Sequence, residues 1–196
     1  MATSSLILLL LSLVYIACEA RSPIAASSRA SNFIKSSCGA TKYPALCVQS
    51  LAAFAPSIQQ SPRQLAQTAL SVSLERARSS QAFVSKMKKF RGLKKREYEA
   101  IKDCMEEMSE GVDRLSKSVQ ELKHMGQAKG QDFLWHISNV ETWVSAALTD
   151  ENTCFDGFAG KALEGKVKAS IRARILNVAQ VTSNALSLVN QFASKQ

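Results

Sequence analysis

The residues with chemical potential are five cysteines, Cys18, Cys38, Cys47, Cys104 and Cys154, two histidines, His124 and His136, and a few clustered charges. Cysteine thiolates hold zinc or exchange electrons when they come as C-x2-C pairs or beside histidines, and neither arrangement occurs. His124 falls at a predicted helix end, where the helix dipole favours a cation, and His136 lies between Trp135 and Ile137; both are read as structural or solvated. Glu106, Glu107 and Glu110 are one helical turn apart and read as a solvated acidic face rather than an acid/base pair. No G-x-S-x-G, H-E-x-x-H or Gly-rich phosphate loop is present. The expectation is a binding protein, not an enzyme, without catalytic, cofactor-binding or metal-ligating residues.

The densest charge feature is basic. Lys86, Lys88, Lys89, Arg91, Lys94, Lys95 and Arg96 fall within eleven positions. The 25 Lys+Arg outnumber the 16 Asp+Glu, for a net charge of +9. Such a run suits a polyanion, or simply a solvated loop between helices. Nucleic acid is set aside because the chain opens with a secretory pattern.

That pattern is Leu6 to Ala17, LILLLLSLVYIA, about twelve residues and too short to span a bilayer, which takes roughly 20. Small residues Cys18 and Ala20 sit where cleavage before Arg21 requires them. Residues 1–20 are therefore expected to be a signal peptide and the mature chain to be secreted, with no membrane segment. Losing Glu19 with the peptide raises the net charge from +9 to +10. Four cysteines remain, an even number that in an oxidising compartment implies two disulfides. Three connectivities are possible; proximity favours Cys38–Cys47 with Cys104–Cys154. No N-glycosylation sequon is present.

These residues have to be positioned by helices. Residues 21–30 are small and polar and read as a flexible leader. Residues 31–57 hold Cys38 and Cys47 around Tyr43-Pro44 and read as a stapled helical hairpin. Ser61-Pro62-Arg63-Gln64 is a helix start, with a capping Ser and Pro at the first helical position. The helix it opens carries Leu65, Ala69, Val72, Phe83, Met87 and Phe90. The next shows the clearest stripe: Tyr98, Ile101, Met105, Met108, Val112, Leu115, Val119 and Leu122 alternate threes and fours. A third helix, from about Asp132 to Cys154, carries Ile137, Val140, Val144 and Ala147. The last carries Ile171, Ile175, Val178, Thr182, Ala185, Val189 and Phe192. Glycines at 92, 126, 130, 157, 160 and 165 separate them. The fold expected over 61–193 is an all-α, antiparallel up-down-up-down four-helix bundle. With the hairpin it makes one domain, 31–196.

The stretch from Asn139 to Phe158, N-V-E-T-W-V-S-A-A-L-T-D-E-N-T-C-F-D-G-F, resembles the signature segment of the plant invertase/pectin methylesterase inhibitor family. The hairpin cysteines around Tyr43-Pro44 and the mid-helix Cys104 agree with it, and the resemblance covers about residues 31–193. It implies the same bundle and hairpin, with one disulfide in the hairpin and one joining the two middle bundle helices. It also implies a non-enzymatic protein that binds a cell-wall carbohydrate enzyme one-to-one and blocks its substrate cleft. The domain also occurs as a pro-region of some pectin methylesterases; a chain ending at Gln196 is expected to act alone.

Invertase inhibitors of the family carry Pro-Lys-Phe before the third long helix. Here the place reads Lys129-Gly130-Gln131-Asp132-Phe133-Leu134, and only the Phe matches. The resemblance therefore favours pectin methylesterase as partner in the apoplast, with acid invertase, or a non-inhibitory pectin-binding role, as alternatives. A Cys104–Cys154 bridge, with Cα atoms about 5.5 Å apart, would gather Glu106, Thr153 and Asp156 into one polar patch. The resemblance points there too: the acidic residue two after the mid-helix Cys and the Thr before the later Cys lie at the family's enzyme contact. De-esterified pectin is a further expected partner, held by the basic run at 86–96.

Overall fold

A computed structural model describes residues 23–159 and 165–195; the expected signal peptide and Gly160 lie outside them. The helices are α1 (Pro23–Gly39), α2 (Pro44–Leu51), α3 (Ala55–Ile58), α4 (Pro62–Met87), α5 (Lys95–His124), α6 (Gly130–Gly157) and α7 (Lys166–Ala193). A 3-10 turn, Ala52–Phe54, joins α2 to α3. No strand occurs among the described residues, and none of their helices is long and apolar enough to cross a membrane.

Helices α4 to α7 form the bundle. Helix α5 packs most extensively on α6, α4 on α7, and the pairs α6–α7 and α4–α5 close the ring. The apolar periodicities cause this arrangement. Ile101, Met108, Leu115 and Leu122 of α5, Ile137, Val140, Val144 and Ala147 of α6, and Ile171, Ile175, Val178, Ala185 and Val189 of α7 are all buried. Phe133 and Phe192 close one end of the core edge-to-face, with ring centroids 5.6 Å apart.

The expected faces need two corrections. On α4, Leu65 and Ala69 are buried as read, but Val72, Phe83 and Met87 are only partly covered and Phe90 is 58% exposed. The inner face is instead Ala66, Leu70, Ser73, Leu74, Ala77, Ser80 and Val84, and the helix ends at Met87, before Phe90. On α5, Tyr98 is exposed, one turn from the helix start.

Helix ends are satisfied by side chains from neighbours. The Ser61 hydroxyl accepts the Gln64 amide at 3.2 Å, which caps α4 as the sequence predicts. Arg63 donates to the carbonyls of Gly126 and Leu122, and Gln67 donates to Leu122 O at 3.0 Å. One turn of α4 thus answers the orphan carbonyls and negative dipole end of α5. Arg172 does the same for α6, donating to Phe155 O at 3.2 Å while its guanidinium lies 3.8 Å from the Phe155 ring centroid.

Helix α1 begins at Pro23, so residues 23–30 of the expected leader are helical. The cause is tertiary: Ala30, Ile34 and Cys38 recur every four residues and are buried. With α2 it makes the hairpin, which packs against α4 and α7. The Asn184 side-chain amide on α7 grips both backbone groups of Tyr43, accepting from its N–H at 3.0 Å and donating to its C=O at 2.9 Å. Gln191 donates to Ser37 O at 3.2 Å.

Candidate functional site

Both disulfides are formed, Cys38–Cys47 with Cα atoms 5.6 Å apart and Cys104–Cys154 with Cα atoms 4.3 Å apart. The second spacing is tighter than the expected ~5.5 Å and draws α5 and α6 close together at the end where α6 finishes. All four cysteines are buried.

Over this bridge lies an open groove of about 840 Å³ between α5 and α6. Its α6 wall is Thr153, Cys154 and Gly157; its α5 wall runs from Lys95 and Arg96 through Glu99 and Asp103 to Glu106 and Glu107. The fold thus brings Glu106 and Thr153 to one groove. It does not bring Asp156 there. At about 100° per residue, Thr153, Gly157 and Cys154 span one arc of α6, and Asp156 falls about 60° outside it on the Thr153 side, exposed at the groove's edge and not part of its lining.

The polar groups differ in what they can offer. The Thr153 hydroxyl donates to Thr149 O at 2.9 Å, so toward the groove it presents lone pairs and acts as an acceptor. Glu106 meets Lys102 at 3.9 Å, with 70% of its side chain exposed. A pair that exposed contributes ~0–1 kcal/mol at most and exchanges readily for another partner. The groove is therefore basic where α5 starts and acidic beside the bridge.

The basic run forms the turn between α4 and α5 and the first turn of α5. Gly92, with φ +89°, lets the chain reverse there. Lys86, Lys89, Arg91, Lys94, Lys95 and Arg96 are exposed. Lys88 is half-buried, with its ammonium 5.3 Å from the Tyr98 ring centroid. The Glu97 carboxylate accepts the Lys94 backbone N–H at 2.8 Å and caps α5.

Sequence reasoning missed three features of this region. Lys95 and Arg96, assigned to the basic run, also belong to the groove. Glu99 and Asp103 join Glu106 and Glu107; their spacing of fours and threes was the available signal, one acidic face of α5. The third feature is buried. Asp150 pairs with Arg114 of α5 at 2.9 Å, and Glu151 is fully buried. Thr182 of α7 donates to Glu151 Oε1 at 2.8 Å and shares a 2.6 Å hydrogen bond with Ser73 of α4. Burial pushes the Glu151 carboxyl up to about 8, despite the opposing Thr182 hydrogen bond and with help from Asp150. Nothing in the local pattern separates these two carboxylates from a solvated pair.

Neither histidine faces the groove. His136 Nδ1 bonds Glu121 Oε1 at 2.9 Å and ties α6 to α5, with Asn139 donating to the same oxygen at 3.0 Å. The Asn139 bond, and then His136, hold the Glu121 carboxyl below its ordinary range against burial. Among the described residues no three His, Cys, Asp or Glu converge to hold a metal ion.

Comparison with known proteins agrees with this architecture. Residues 32–188 match the plant invertase/pectin methylesterase inhibitor family. The chain is 54% identical over 194 residues to pectinesterase inhibitor 11 of Arabidopsis thaliana, covering 97% of this chain and 96% of that protein. It is 57% identical over 171 residues to a 21 kDa protein of Daucus carota, covering 87% and 89%. Its fold matches the crystal structure of a mutant form of a pectin methylesterase inhibitor from Arabidopsis with a TM-score of 0.63 at 20% identity, over 78% of this chain and 92% of that one. Signature segment, paired cysteines, bundle and relatives agree: the chain belongs to the plant invertase/pectin methylesterase inhibitor family and is not an enzyme.

Proposed function

We propose that the protein is a secreted inhibitor that binds a plant pectin methylesterase one-to-one in the cell wall and blocks its substrate cleft. The observation that carries this reading is the groove at the Cys104–Cys154 bridge, with Glu106 on one wall and Thr153 on the other. Relatives named pectinesterase inhibitors, one of them matched over almost its whole length, support the choice of target. The Thr153 hydroxyl accepts a hydrogen bond from the enzyme, and the Glu106 carboxylate exchanges Lys102 for an enzyme donor. Asp156 acts at the edge of the contact. The missing Pro-Lys-Phe element speaks against acid invertase.

The test is a titration of a plant pectin methylesterase with purified protein, beside an acid invertase. The parent should stop demethylesterification at one equivalent and leave invertase active. Thr153→Ala and Glu106→Ala should each weaken inhibition about tenfold, or ~1.4 kcal/mol, with an unchanged thermal midpoint. Inhibition of invertase alone, or variants as potent as the parent, would overturn the target or the site.

A further inference from the structure

The basic turn between α4 and α5 is larger than the groove needs. Six exposed cations, Lys86, Lys89, Arg91, Lys94, Lys95 and Arg96, stand within eleven residues, and four of them lie outside the groove lining. Lys95 and Arg96 occupy the first turn of α5, where the positive end of the helix dipole adds to their field instead of offsetting it. No carboxylate lies within the run, and the first one after it, Glu97, is engaged by the Lys94 backbone. Two aromatic rings stand among the charges: Phe90 is 58% exposed and Tyr98 39%. Folding gains nothing from leaving Phe90 in water, so cations and rings together offer an external ligand both charge neutralisation and flat apolar faces.

We propose that this turn binds the free carboxylates of de-esterified pectin, with Phe90 and Tyr98 lying against the apolar faces of the sugar rings. The choice of polygalacturonate among polyanions rests on the proposed function. A pectin methylesterase leaves a carboxylate wherever it has removed a methyl ester, so the enzyme's own product is the polyanion at hand. The four cations outside the groove remain available while the bridge end of the groove is occupied. An inhibitor held this way accumulates where the enzyme has already worked.

The test is binding of the parent chain to immobilised polygalacturonate, to highly methylesterified pectin, and to vesicles of phosphatidylserine and phosphatidylcholine. Screening lengths shorten from about 30 Å at 0.01 M salt to about 10 Å at 0.1 M, so retention on polygalacturonate should collapse over that range and above it. Methylesterified pectin and the vesicles should retain it weakly. Lys86→Gln/Lys89→Gln/Arg91→Gln/Lys94→Gln should bind polygalacturonate at least tenfold more weakly and inhibit pectin methylesterase as the parent does. The charge-preserving Lys86→Arg/Lys89→Arg/Lys94→Arg should bind like the parent, and Phe90→Ala should weaken binding while keeping its salt dependence. Equal retention of the Gln variant, equal binding to methylesterified pectin, or tighter binding to the vesicles would overturn the inference. A parent that binds polygalacturonate but inhibits no esterase removes the proposed function alone; one that inhibits but is not retained removes this inference alone.

Discussion

Replacing Glu151 by Gln should make the protein more stable at pH 8 and leave it nearly unchanged at pH 5. Glu151 is fully buried, Thr182 satisfies only its Oε1, and Oε2 has no hydrogen-bond partner among the described residues. Its carboxyl is pushed from 4.5 in the unfolded chain to about 8 in the fold. Between those values the folded protein holds a proton that the unfolded chain has released, so stability falls as pH rises through the window. The slope reaches about 1.4 kcal/mol per pH unit, and the total loss by pH 8 is at most about 5 kcal/mol. At pH 5 the neutral acid and the amide are nearly isosteric: each offers an acceptor to Thr182 and an unsatisfied donor on the other atom, so the two proteins should agree within ~1 kcal/mol. At pH 8 the amide has no charge to desolvate, and the variant should be the more stable by several kcal/mol. Urea unfolding of both proteins at pH 5, 6.5 and 8 reads the difference directly. Two parallel stability profiles would show that Glu151 is ionised in the fold, and the account of its burial would be wrong.

Other perturbations follow from the same contacts. Thr182→Val strips Glu151 of its donor and Ser73 of its partner, and should cost ~1–3 kcal/mol by urea unfolding. Replacing Cys104 and Cys154 together by Ser opens a 50-residue loop and should cost about 4 kcal/mol on the chain-entropy account, against roughly 2.6 for the hairpin pair, measured as a difference in denaturation free energy. Glu121→Gln should remove stability that the parent holds above the ordinary carboxylate range and loses as pH falls through the depressed value; the two unfolding curves should converge in acid. Arg63→Ala strips Gly126 O of its donor and leaves Leu122 O with Gln67 alone, and should lower stability by about 1–2 kcal/mol, with early exchange of amides near residues 122–126.

Much of the bundle was legible in the sequence because three of its helices bury large aliphatic side chains at regular spacing. Helix α4 was legible at its capped start and misread beyond its middle. Its inner face interleaves Leu70, Leu74 and Val84 with Ala66, Ser73, Ala77 and Ser80, small residues that dilute the hydropathy signal. The larger Phe83, Met87 and Phe90 attracted the assignment, yet one of them lies past the helix end. The start of α1 was missed for the same reason, since its Ala- and Ser-rich turns look like leader until Ile34 and Cys38 find the bundle. At the groove, Glu106 and Thr153 could be paired once two cysteines were. Lys95 and Arg96 could not, because their place there depends on how the α4–α5 turn lands beside the end of α6. Asp150 and Glu151 were illegible: their partners Arg114 and Thr182 lie 36 and 31 positions away, and only packing makes them neighbours.

The grip of Asn184 on Tyr43 spans 141 positions of chain and imposes an order on assembly. The hairpin leaves the ribosome first, when the helix that holds it does not yet exist. Cys38 and Cys47, nine positions apart, can find each other at that stage, because closing a short loop needs no distant partner. Packing on α4 can begin earlier, but docking on α7 has to wait until that helix is made. The hairpin therefore spends much of synthesis oxidised but only partly moored, on α4 without α7. A ribosome-bound chain halted before residue 184 should carry the first disulfide while its hairpin remains open to protease.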